Sequence, residues 1–292
     1  MTRPEESGTR TIDRAKGPAN ATRAEGGLLE TDSIEVKRLE VSPDGRLEGR
    51  IALITGGSRG IGAAIARAFA AEGAAIAVLH LGDGANAQGL VAEIGARGRP
   101  ALACECDVAD LDAVARATAQ VESRLGPVDI LVSCAGIVDE APFEAMTLAR
   151  WDRMIAVHLR GTFLMAQAVY PGMRARGFGR IINLASQVAY KGMAGLTHYC
   201  AAKAGIIGLT RALALEGAAH GVTVNAIAPG PTDTDILLNM SPEWRARKMA
   251  ELPIGRFARP AEIAPTAVLL ASDDGAFYVG QTLSPNGGDV ML

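Results

Sequence analysis

Short apolar runs alternate with amphipathic stretches along most of this 292-residue chain, and this alternation restricts its fold more than any other feature. The apolar runs are short enough to be buried strands, whereas the stretches between them repeat their apolar residues every three or four positions, as helices do. Strands that alternate with helices imply right-handed crossovers and a parallel sheet covered on both faces. Strands are predicted at 51–55, 75–80, 101–106, 128–133, 180–185, 222–228 and 281–284.

We therefore expect an α/β fold with one doubly wound domain, in which helices flank a seven-stranded parallel sheet on both faces. The first helix follows the first strand directly, and later ones are predicted at 84–97, 109–125, 147–176, 197–219 and 260–272. The first 50 residues carry 19 charged side chains, whereas the other 242 carry 42. A segment so rich in charge buries too little apolar surface to offset its ordering entropy. We predict a disordered extension at 1–47 and a single domain at 48–292.

Composition excludes several functional classes. A net charge of −3 and a pI near 5.9 give no bulk attraction for nucleic acid or for an anionic membrane. No run of 18 apolar residues predicts a membrane span, and no apolar segment near the start predicts a secretory signal. The four cysteines lack the spacing of a disulfide framework or a metal site, so we expect no metal and a cytoplasmic location.

A glycine-rich segment lies at the first junction between a strand and a helix. It reads Thr-Gly-Gly-Ser-Arg-Gly-Ile-Gly from Thr55 to Gly62, and the helical pattern begins at once. Glycines let the backbone turn sharply and approach a pyrophosphate, while the helix N-terminus offers N–H groups and a positive dipole end. This placement predicts a dinucleotide site. Its candidate residues are Gly56, Ser58, Arg59, Gly60, Ile61 and Gly62.

The same segment resembles the TGxxxGxG loop of the classical short-chain dehydrogenase/reductase family, and the resemblance extends from about Leu47 to Leu292. Further matches follow in order: the pair Asp107-Val108, Ser-Cys-Ala-Gly at 133–136 where the family usually has NNAG, and Asn-Ala-Ile-Ala-Pro-Gly at 225–230. The resemblance implies a Rossmann-type fold. It also implies cofactor contacts from Asp107 to the adenine edge, and from Val108, Ala135, Gly136, Pro229 and Gly230.

A phenol and an ammonium group are spaced for joint action in the segment from Tyr199 to Lys203. Four residues apart, they lie about 40° apart around a helix and share one face. A free tyrosine has a pKa near 10, but a nearby Lys⁺ and an oxidised nicotinamide both favour the phenolate. We therefore expect Tyr199 to act as a general acid/base. An ordinary surface Tyr–Lys pair is the alternative on spacing alone.

The resemblance supplies the context for this pair. The catalytic serine of the family lies at the end of the fifth strand, 13 residues before the tyrosine, and Ser186 occupies that place here. The implied reaction is reversible hydride transfer between a nicotinamide and a carbonyl carbon. Tyr199 would move the proton, Ser186 would polarise the carbonyl, and Lys203 would hold the nicotinamide ribose and lower the pKa of Tyr199.

One position departs from the family pattern. The family usually has a catalytic asparagine in a VNLxG segment, where it supports a water that leads from the lysine to bulk solvent, but this chain has Val-His-Leu-Arg-Gly at 157–161. We expect His158 to replace the asparagine by holding the water through a ring nitrogen, and a histidine can also titrate within the relay. A packed, inactive histidine is the alternative.

The cofactor type is read from the end of the second strand. An NAD site usually has an acid there for the ribose 2′-OH, and this chain has His80. Because that acid is missing and Arg59 can pair with a 2′-phosphate, we expect NADP(H). Asp83 lies close by, and an arginine frequent in NADP-using relatives is absent, so NAD(H) stays open.

The substrate segment is expected after Pro229-Gly230. Thr232 and Thr234 are expected to contact the cofactor. Beyond them an apolar patch, from Ile236 to Trp244, predicts either a lid over the substrate or the core of a short helix. The resemblance is closest to 3-oxoacyl-thioester reductases acting on acyl-carrier protein or coenzyme A substrates. Arg174, Arg176 and Arg180 would offer a docking surface for an acidic carrier protein.

Three alternatives stay open for the function. Sugar, polyol and alicyclic alcohol dehydrogenases share nearly the same sequence frame. A nucleotide-binding regulator without chemistry is disfavoured because serine, tyrosine and lysine are all present. Epimerases and dehydratases of the extended branch would need a longer substrate domain. The family resemblance also implies a homotetramer, built through the helices near 147–176 and 197–219 and the last strand.

Overall fold

A computed structural model describes residues 45–238 and 240–291, with the side chains of Ile236 and Leu238 left out. Leu47, the last residue of the predicted extension, is 1% exposed and packs in the core. Its N–H donates to the carbonyl of Glu72 at 2.7 Å. The division into an extension at 1–47 and a domain at 48–292 stays a prediction, and residues 1–44 lie outside the described residues.

The seven predicted strands form one parallel sheet in the order β3-β2-β1-β4-β5-β6-β7. Chain order reverses at β1, so β1 and β4 lie side by side at a topological switch point, where ligands of such sheets bind. The strands are β1 Ile51–Thr55, β2 Ala75–His80, β3 Ala101–Glu105, β4 Ile130–Ser133, β5 Gly179–Leu184, β6 Val222–Ile227 and β7 Thr282–Leu283.

Ten α-helices connect and cover these strands within the described residues. They are α1 Gly60–Ala71, α2 Gly84–Gly95, α3 Leu111–Leu125, α4 Leu148–Ile155, α5 Gly161–Arg176, α6 Val188–Lys191, α7 Thr197–Ala218, α8 Asp235–Leu238, α9 Pro242–Glu251 and α10 Pro260–Ala271. Short 3₁₀ turns lie at Phe143–Ala145 and Asp273–Gly275. None of these helices combines the length and the apolar character that a membrane crossing requires.

Apolar side chains pack on both faces of the sheet. On one face α1, α2 and α10 bury a cluster that includes Ile65 and Phe69, two residues of α1 that are four positions apart. On the other face α3 and α5 bury a second cluster around Leu53, Leu131 and Met165. Both faces are covered, which explains why the strands read as nearly continuous apolar runs.

The predicted helix at 147–176 is interrupted. A π-helical turn at Ala156–Arg160 separates α4 from α5 and contains His158. Such a turn holds one residue more than an α-helical turn, so it displaces the side chains around it, and π-turns are frequent at functional sites. Apolar periodicity continues across the turn, which is why the sequence predicted a single helix.

Candidate active site

The glycine-rich loop connects β1 to α1 at the switch point. Gly56 and Gly60 have positive φ values of 61° and 55°, which only glycine adopts at no cost. A Cβ atom at Gly56 would lie 2.8 Å from the Cα of Ala135. No described side chain caps the N-terminus of α1. Side chains at the two glycines would fill the space beside the loop. Because these positions are glycines, the space is open, and it fits a pyrophosphate group at a helix N-terminus.

Thr55 joins the two strands of the switch point. Its Oγ1 accepts hydrogen bonds from the backbone N–H groups of Cys134 and Ala135, each at 3.0 Å. The loop after β4 is therefore fixed against the loop after β1, and Ala135 lies directly against Gly56. Sequence reasoning did not identify Thr55, although it is the first residue of the TGxxxGxG motif.

Charged side chains surround the end of β2, and we call Ser58, Arg59, His80 and Asp83 the nucleotide end of the site. Asp83 accepts a hydrogen bond from the Ser58 hydroxyl at 2.6 Å, and this bond is the main reason why the pKa of Asp83 is lowered. Arg59, whose side chain is 65% exposed, lies 3.9 Å from Asp83 and 3.5 Å from Asp235. His80 is buried, and its Nδ1 has no partner among the described residues. Arg59, which is predicted to pair with a 2′-phosphate, thus already lies near two carboxylates, those of Asp83 and Asp235.

The loop after β3 contains the predicted adenine contacts. Asp107 accepts from the N–H of Ala109 at 2.9 Å and from Arg153 at 3.2 Å. Val108 is buried, and a Cβ atom at Gly161 would lie 2.8 Å from its Cγ2. Asp107 keeps its side chain at the carboxyl edge of the sheet but is already paired with a surface arginine.

The predicted serine, tyrosine and lysine come together between β5 and α7. Lys203 is 4% exposed, and its Nζ donates to the carbonyl of Leu184 at 2.5 Å. The same Nζ lies 5.6 Å from the centre of the Tyr199 ring, and the side chain of Ser186 is near enough to lower the pKa of Tyr199. With His158 these three residues form what we call the catalytic end.

The pKa values at the catalytic end differ from the expectation. Burial raises the pKa of Tyr199 to about 12, and the hydrogen bond with Ser186 opposes this only in part. Burial also lowers the pKa of Lys203 to about 8. The expected lowering of the Tyr199 pKa by Lys203 is therefore not found, because desolvation of the phenolate has the larger effect.

His158 lies between the Tyr199 ring and the loop after β4. Its ring meets that of Tyr199 edge-on, with 5.1 Å between centres, and its Nε2 lies 2.8 Å from the carbonyl oxygen and 3.1 Å from the nitrogen of Ile137. Nδ1 is buried without a partner among the described residues. Burial lowers the pKa of His158 to about 3, so the ring is neutral at physiological pH.

The chain after β6 returns over the glycine loop. The N–H of Gly230 donates to the carbonyl of Pro285, while Thr232 is buried and donates to the carbonyl of Gly230 at 3.0 Å. Thr234 lies above the loop, 3.3 Å from where a Cβ atom at Gly60 would be. Both threonines thus lie beside the predicted cofactor site.

The apolar patch beyond Thr234 forms two short helices, α8 and α9, which the sequence left open between a lid and a packed helix. Leu237, Met240 and Trp244 are half-buried, and the indole of Trp244 lies 6.5 Å from the ring of Phe257. Trp244 therefore packs at least partly against the protein itself.

The proposed docking arginines are not a common surface. Arg180 is 5% exposed, lies over the ring of Phe178 and pairs with Asp273. Arg176 donates to the carbonyl of Val128 and pairs with Asp129. Only Arg174 of the three is exposed and outside these pairs. The three-arginine docking surface is therefore wrong, because position in the sequence did not reveal which guanidinium groups are buried.

Two of the four cysteines lie on or directly after β3, away from the catalytic end. Cys104 and Cys106 are buried free thiols, and burial raises the pKa of both. Within the described ranges, no three His, Cys, Asp or Glu side chains are grouped to hold a metal ion.

Comparison with known proteins agrees with this geometry. A family model described as enoyl-(acyl carrier protein) reductase matches residues 56–289. An acetoacetyl-CoA reductase of Rhizobium meliloti is 46% identical over 241 residues, which cover 82% of this chain and 98% of the relative. A D-threitol dehydrogenase of Mycolicibacterium smegmatis is 42% identical over 87% of this chain and 98% of its own length.

A solved structure is similar in both fold and sequence. It is a blue fluorescent protein from a metagenomic library in complex with NADPH, with a TM-score of 0.80 and 39% identity over 84% of this chain and all of the other. The sheet order, the glycine loop and these relatives lead to one conclusion. The chain belongs to the short-chain dehydrogenase/reductase family of NAD(P)-dependent oxidoreductases.

Proposed function

We propose that this enzyme reduces the keto group of 3-oxoacyl thioesters, with acetoacetyl-CoA as the first substrate to test. One observation carries the reaction class: a buried lysine, a tyrosine and a serine meet between β5 and α7, beside the glycine cradle. The substrate class is supported by the similarity to an acetoacetyl-CoA reductase over 82% of the chain.

The bound nicotinamide dinucleotide supplies the hydride in this reaction. We propose that the glycine loop and the N-terminus of α1 hold its pyrophosphate, through Gly56, Ser58, Gly60, Ile61 and Gly62. Its adenosine would lie between the nucleotide end and Asp107-Val108. The other contacts proposed are with Ala135, Gly136, Pro229, Gly230, Thr232 and Thr234.

Tyr199 would donate the proton to the keto oxygen, and Ser186 would donate a hydrogen bond to that oxygen as negative charge develops. A tyrosine with its pKa raised to about 12 is fully protonated at neutral pH, which suits an acid that works in the direction of reduction. Lys203 would hold the ribose and supply positive charge to the tyrosine when a phenolate forms. Its lowered pKa of about 8 still leaves it mostly charged at neutral pH.

His158 is proposed to position rather than to titrate. Its Nε2 contacts both backbone groups of Ile137, next to the cofactor-contacting Gly136. Its Nδ1, buried and unpaired among the described residues, is the ring nitrogen open to a water of the proton relay. With a pKa of about 3 the ring holds that water as a neutral acceptor or donor.

We propose NADP(H) as the preferred cofactor. Arg59 supports this choice because its exposed guanidinium stands at the nucleotide end, where a 2′-phosphate would be bound. The similar solved structure holds NADPH. The nearby carboxylate of Asp83 limits the preference, so NAD(H) is expected to bind more weakly rather than not at all.

The test is a spectrophotometric assay of cofactor oxidation with acetoacetyl-CoA, with NADPH and NADH in parallel and Tyr199→Phe as the matched control. We expect turnover that the variant loses. The polyol alternative is favoured by the D-threitol dehydrogenase relative, so oxidation of D-threitol is measured alongside. A higher kcat/KM for D-threitol would replace the thioester proposal, and cofactor binding without turnover of either substrate would favour a regulator.

We further propose a homotetramer in the cytoplasm. The exposed face of α7 includes Ala204, Gly208 and Leu215 at helical spacing. Phe277, which lies in the chain before β7, is 99% exposed. A second copy would cover such apolar surface. Light scattering during gel filtration tests the assembly.

The proposed cytoplasmic location is supported by the four cysteines. Four free thiols suit a reducing compartment.

A further inference from the structure

A buried carboxylate lies at the end of the chain and is bound by three distant side chains. Asp289 forms an ion pair with Lys191 at 2.7 Å, and it accepts hydrogen bonds from Lys248 at 3.0 Å and from the amide of Gln187. Its side chain is only 7% exposed. We call Gln187, Lys191, Lys248 and Asp289 the Asp289 cluster. None of these residues belongs to the motifs that identified the active site.

The partners of Asp289 lie on different segments around the active site. Gln187 directly follows Ser186, and Lys191 ends α6, the helix that begins two residues after Ser186. Lys248 lies on α9, whose first residues belong to the apolar patch from Ile236 to Trp244 that the sequence predicted as a lid over the substrate or a packed helix. Asp289 therefore links the chain around the catalytic serine to the substrate segment, through residues about 41 to 102 positions apart.

The turn that carries Asp289 is itself fixed. Asn286 donates to the carbonyl of Val290 at 2.7 Å and accepts from the N–H of Gly288 at 2.9 Å. A Cβ atom at Gly230 would lie 2.7 Å from the Cα of Asn286, so the turn also packs tightly against the chain after β6. A carboxylate on such a turn has a defined position.

The same turn contacts the residues that follow α9. The N–H of Ile254 donates to the carbonyl of Gly287 at 3.2 Å. Cβ atoms at Gly287 and Gly288 would lie 2.6 Å from Ile254 and 2.9 Å from Pro253, and both glycines have positive φ. An alanine at Gly287 or Gly288 would therefore clash with these residues. The chain directly after α9 thus packs closely against the turn.

Charge makes this contact stronger than an ordinary surface pair. Burial alone would raise the pKa of Asp289, but the hydrogen bonds from Lys191, Lys248 and Gln187 hold it below its usual value. The carboxylate is thus ionised at neutral pH and shared by two ammonium groups. Charge-assisted hydrogen bonds at a buried acceptor are about twice as strong as neutral ones.

We propose that Asp289 is a positioning residue that holds α9 in place over the substrate site, relative to the segment of Ser186. This inference rests on the proposed function and adds to it that α9 lies on the substrate side of the site. Asp289 touches neither cofactor nor substrate in this role. Its loss would loosen α9, weaken acyl-substrate binding and leave the nucleotide end unaffected.

The test compares Asp289→Asn, Lys248→Met and Lys191→Met with the wild-type enzyme. Hydrogen–deuterium exchange measures the mobility of α9, with α2 as the internal reference. The matched control is Glu251→Gln, which removes the other carboxylate bound by Lys248, an exposed one, and leaves Asp289 in place. We expect faster exchange of α9 in Asp289→Asn and Lys248→Met, and wild-type exchange in the control.

Kinetics separate positioning from a merely structural role. In Asp289→Asn we expect KM for acetoacetyl-CoA to rise about tenfold, as loss of one charge-assisted hydrogen bond implies, with Kd for NADPH within about twofold of wild type. Because Lys248 acts through Asp289, the double variant Asp289→Asn/Lys248→Met should resemble Asp289→Asn alone. A rise in KM and Kd together, or additive effects, would show a structural role and overturn the proposal.

The two proposals fail differently. A wild-type enzyme that does not turn over acetoacetyl-CoA overturns the substrate assignment, whereas the exchange of α9 still tests the role of Asp289. Unchanged exchange of α9 in both Asp289→Asn and Lys248→Met overturns the positioning role whatever the substrate is. Should Asp289→Asn not fold, Lys248→Met alone decides, since it removes one partner and leaves the carboxylate bound by two others.

Discussion

The nucleotide end and the catalytic end lie along the same edge of the sheet but are built differently. At the nucleotide end the side chain of Arg59 is 65% exposed and its ion pairs are 3.5 Å or longer. At the catalytic end His158 and Lys203 are 2% and 4% exposed. Water and salt screen charges at the first end, whereas desolvation dominates at the second. We therefore expect modest, salt-sensitive effects at one end and large effects at the other.

Removing the phenol should have the largest effect. Tyr199→Phe leaves the keto oxygen without its proton donor, so kcat should fall about 10³-fold, within the range of general acid catalysis. The measurement is single-turnover oxidation of NADPH, with melting temperature and NADPH binding as controls for the fold. A variant that keeps more than a tenth of the wild-type rate would contradict the role of the tyrosine.

The pKa of Lys203 should be visible in stability. Its value of about 8 lies below the ordinary 10.5, so between these values the unfolded chain binds more protons and stability rises with pH. Between pH 7.5 and 9.5 the wild type should gain about 2 kcal/mol relative to Lys203→Met, which lacks the group.

Urea unfolding of the cofactor-free proteins at the two pH values measures this difference. The comparison removes the contributions of other titrating groups that both proteins share. An equal response of both proteins would mean that Lys203 titrates normally and that the catalytic end is wetter than its burial indicates.

Charge changes at the nucleotide end should have smaller effects. Arg59→Ala should reduce the ratio of NADPH to NADH affinity about tenfold at low salt, and less at high salt, because an exposed pair is screened. Asp83→Asn should change the ratio a few-fold in the opposite direction, since it removes the carboxylate nearest that arginine.

Fluorescence titration of both cofactors measures these ratios without any substrate. Arg67→Ala is the matched control, because Arg67 belongs to α1, the helix that Arg59 precedes, and pairs with Glu93 at 2.9 Å. If Asp83→Asn instead raises the affinity for NADH relative to NADPH, the Asp83 carboxylate does not oppose binding of the 2′-phosphate. The role given to Asp83 at the nucleotide end would then be wrong.

The smallest effect is expected for His158→Asn. An amide offers one donor and one acceptor to Ile137, whereas Nε2 of the ring serves only one of these groups at a time. We expect kcat within about threefold of wild type, a change of well under 1 kcal/mol, and an unchanged pH–rate profile. A profile that shifts between pH 5 and 8 would show that His158 titrates despite its burial.

Local patterns predicted the strands well because apolar runs and turn residues lie within a few positions of each other. β1 and β2 match the predicted bounds, and the other strands differ by one or two residues at one end or at both ends. The motifs likewise indicated Ser186, Tyr199 and Lys203, which do come together. Their pKa values could not be predicted, because desolvation depends on how the whole chain packs around them.

The features that sequence missed depend on distant partners. Arg180 is buried by Phe178 and Asp273, and the helix at 147–176 is split by a π-turn that apolar periodicity does not reveal. Asp289 gains its role from lysines on two other helices. Each case involves contacts across the fold, for which a single sequence carries no local signal.

The two hydrogen bonds accepted by Thr55 have a consequence for binding thermodynamics. These hydrogen bonds hold the loop after β4 against β1. The width of this part of the cleft is therefore fixed before a dinucleotide binds. Ordering of that wall is included in the free energy of folding, so association loses less conformational entropy. The chain thus binds at this wall as a preformed receptor, with a smaller entropic penalty than a loop that orders on contact.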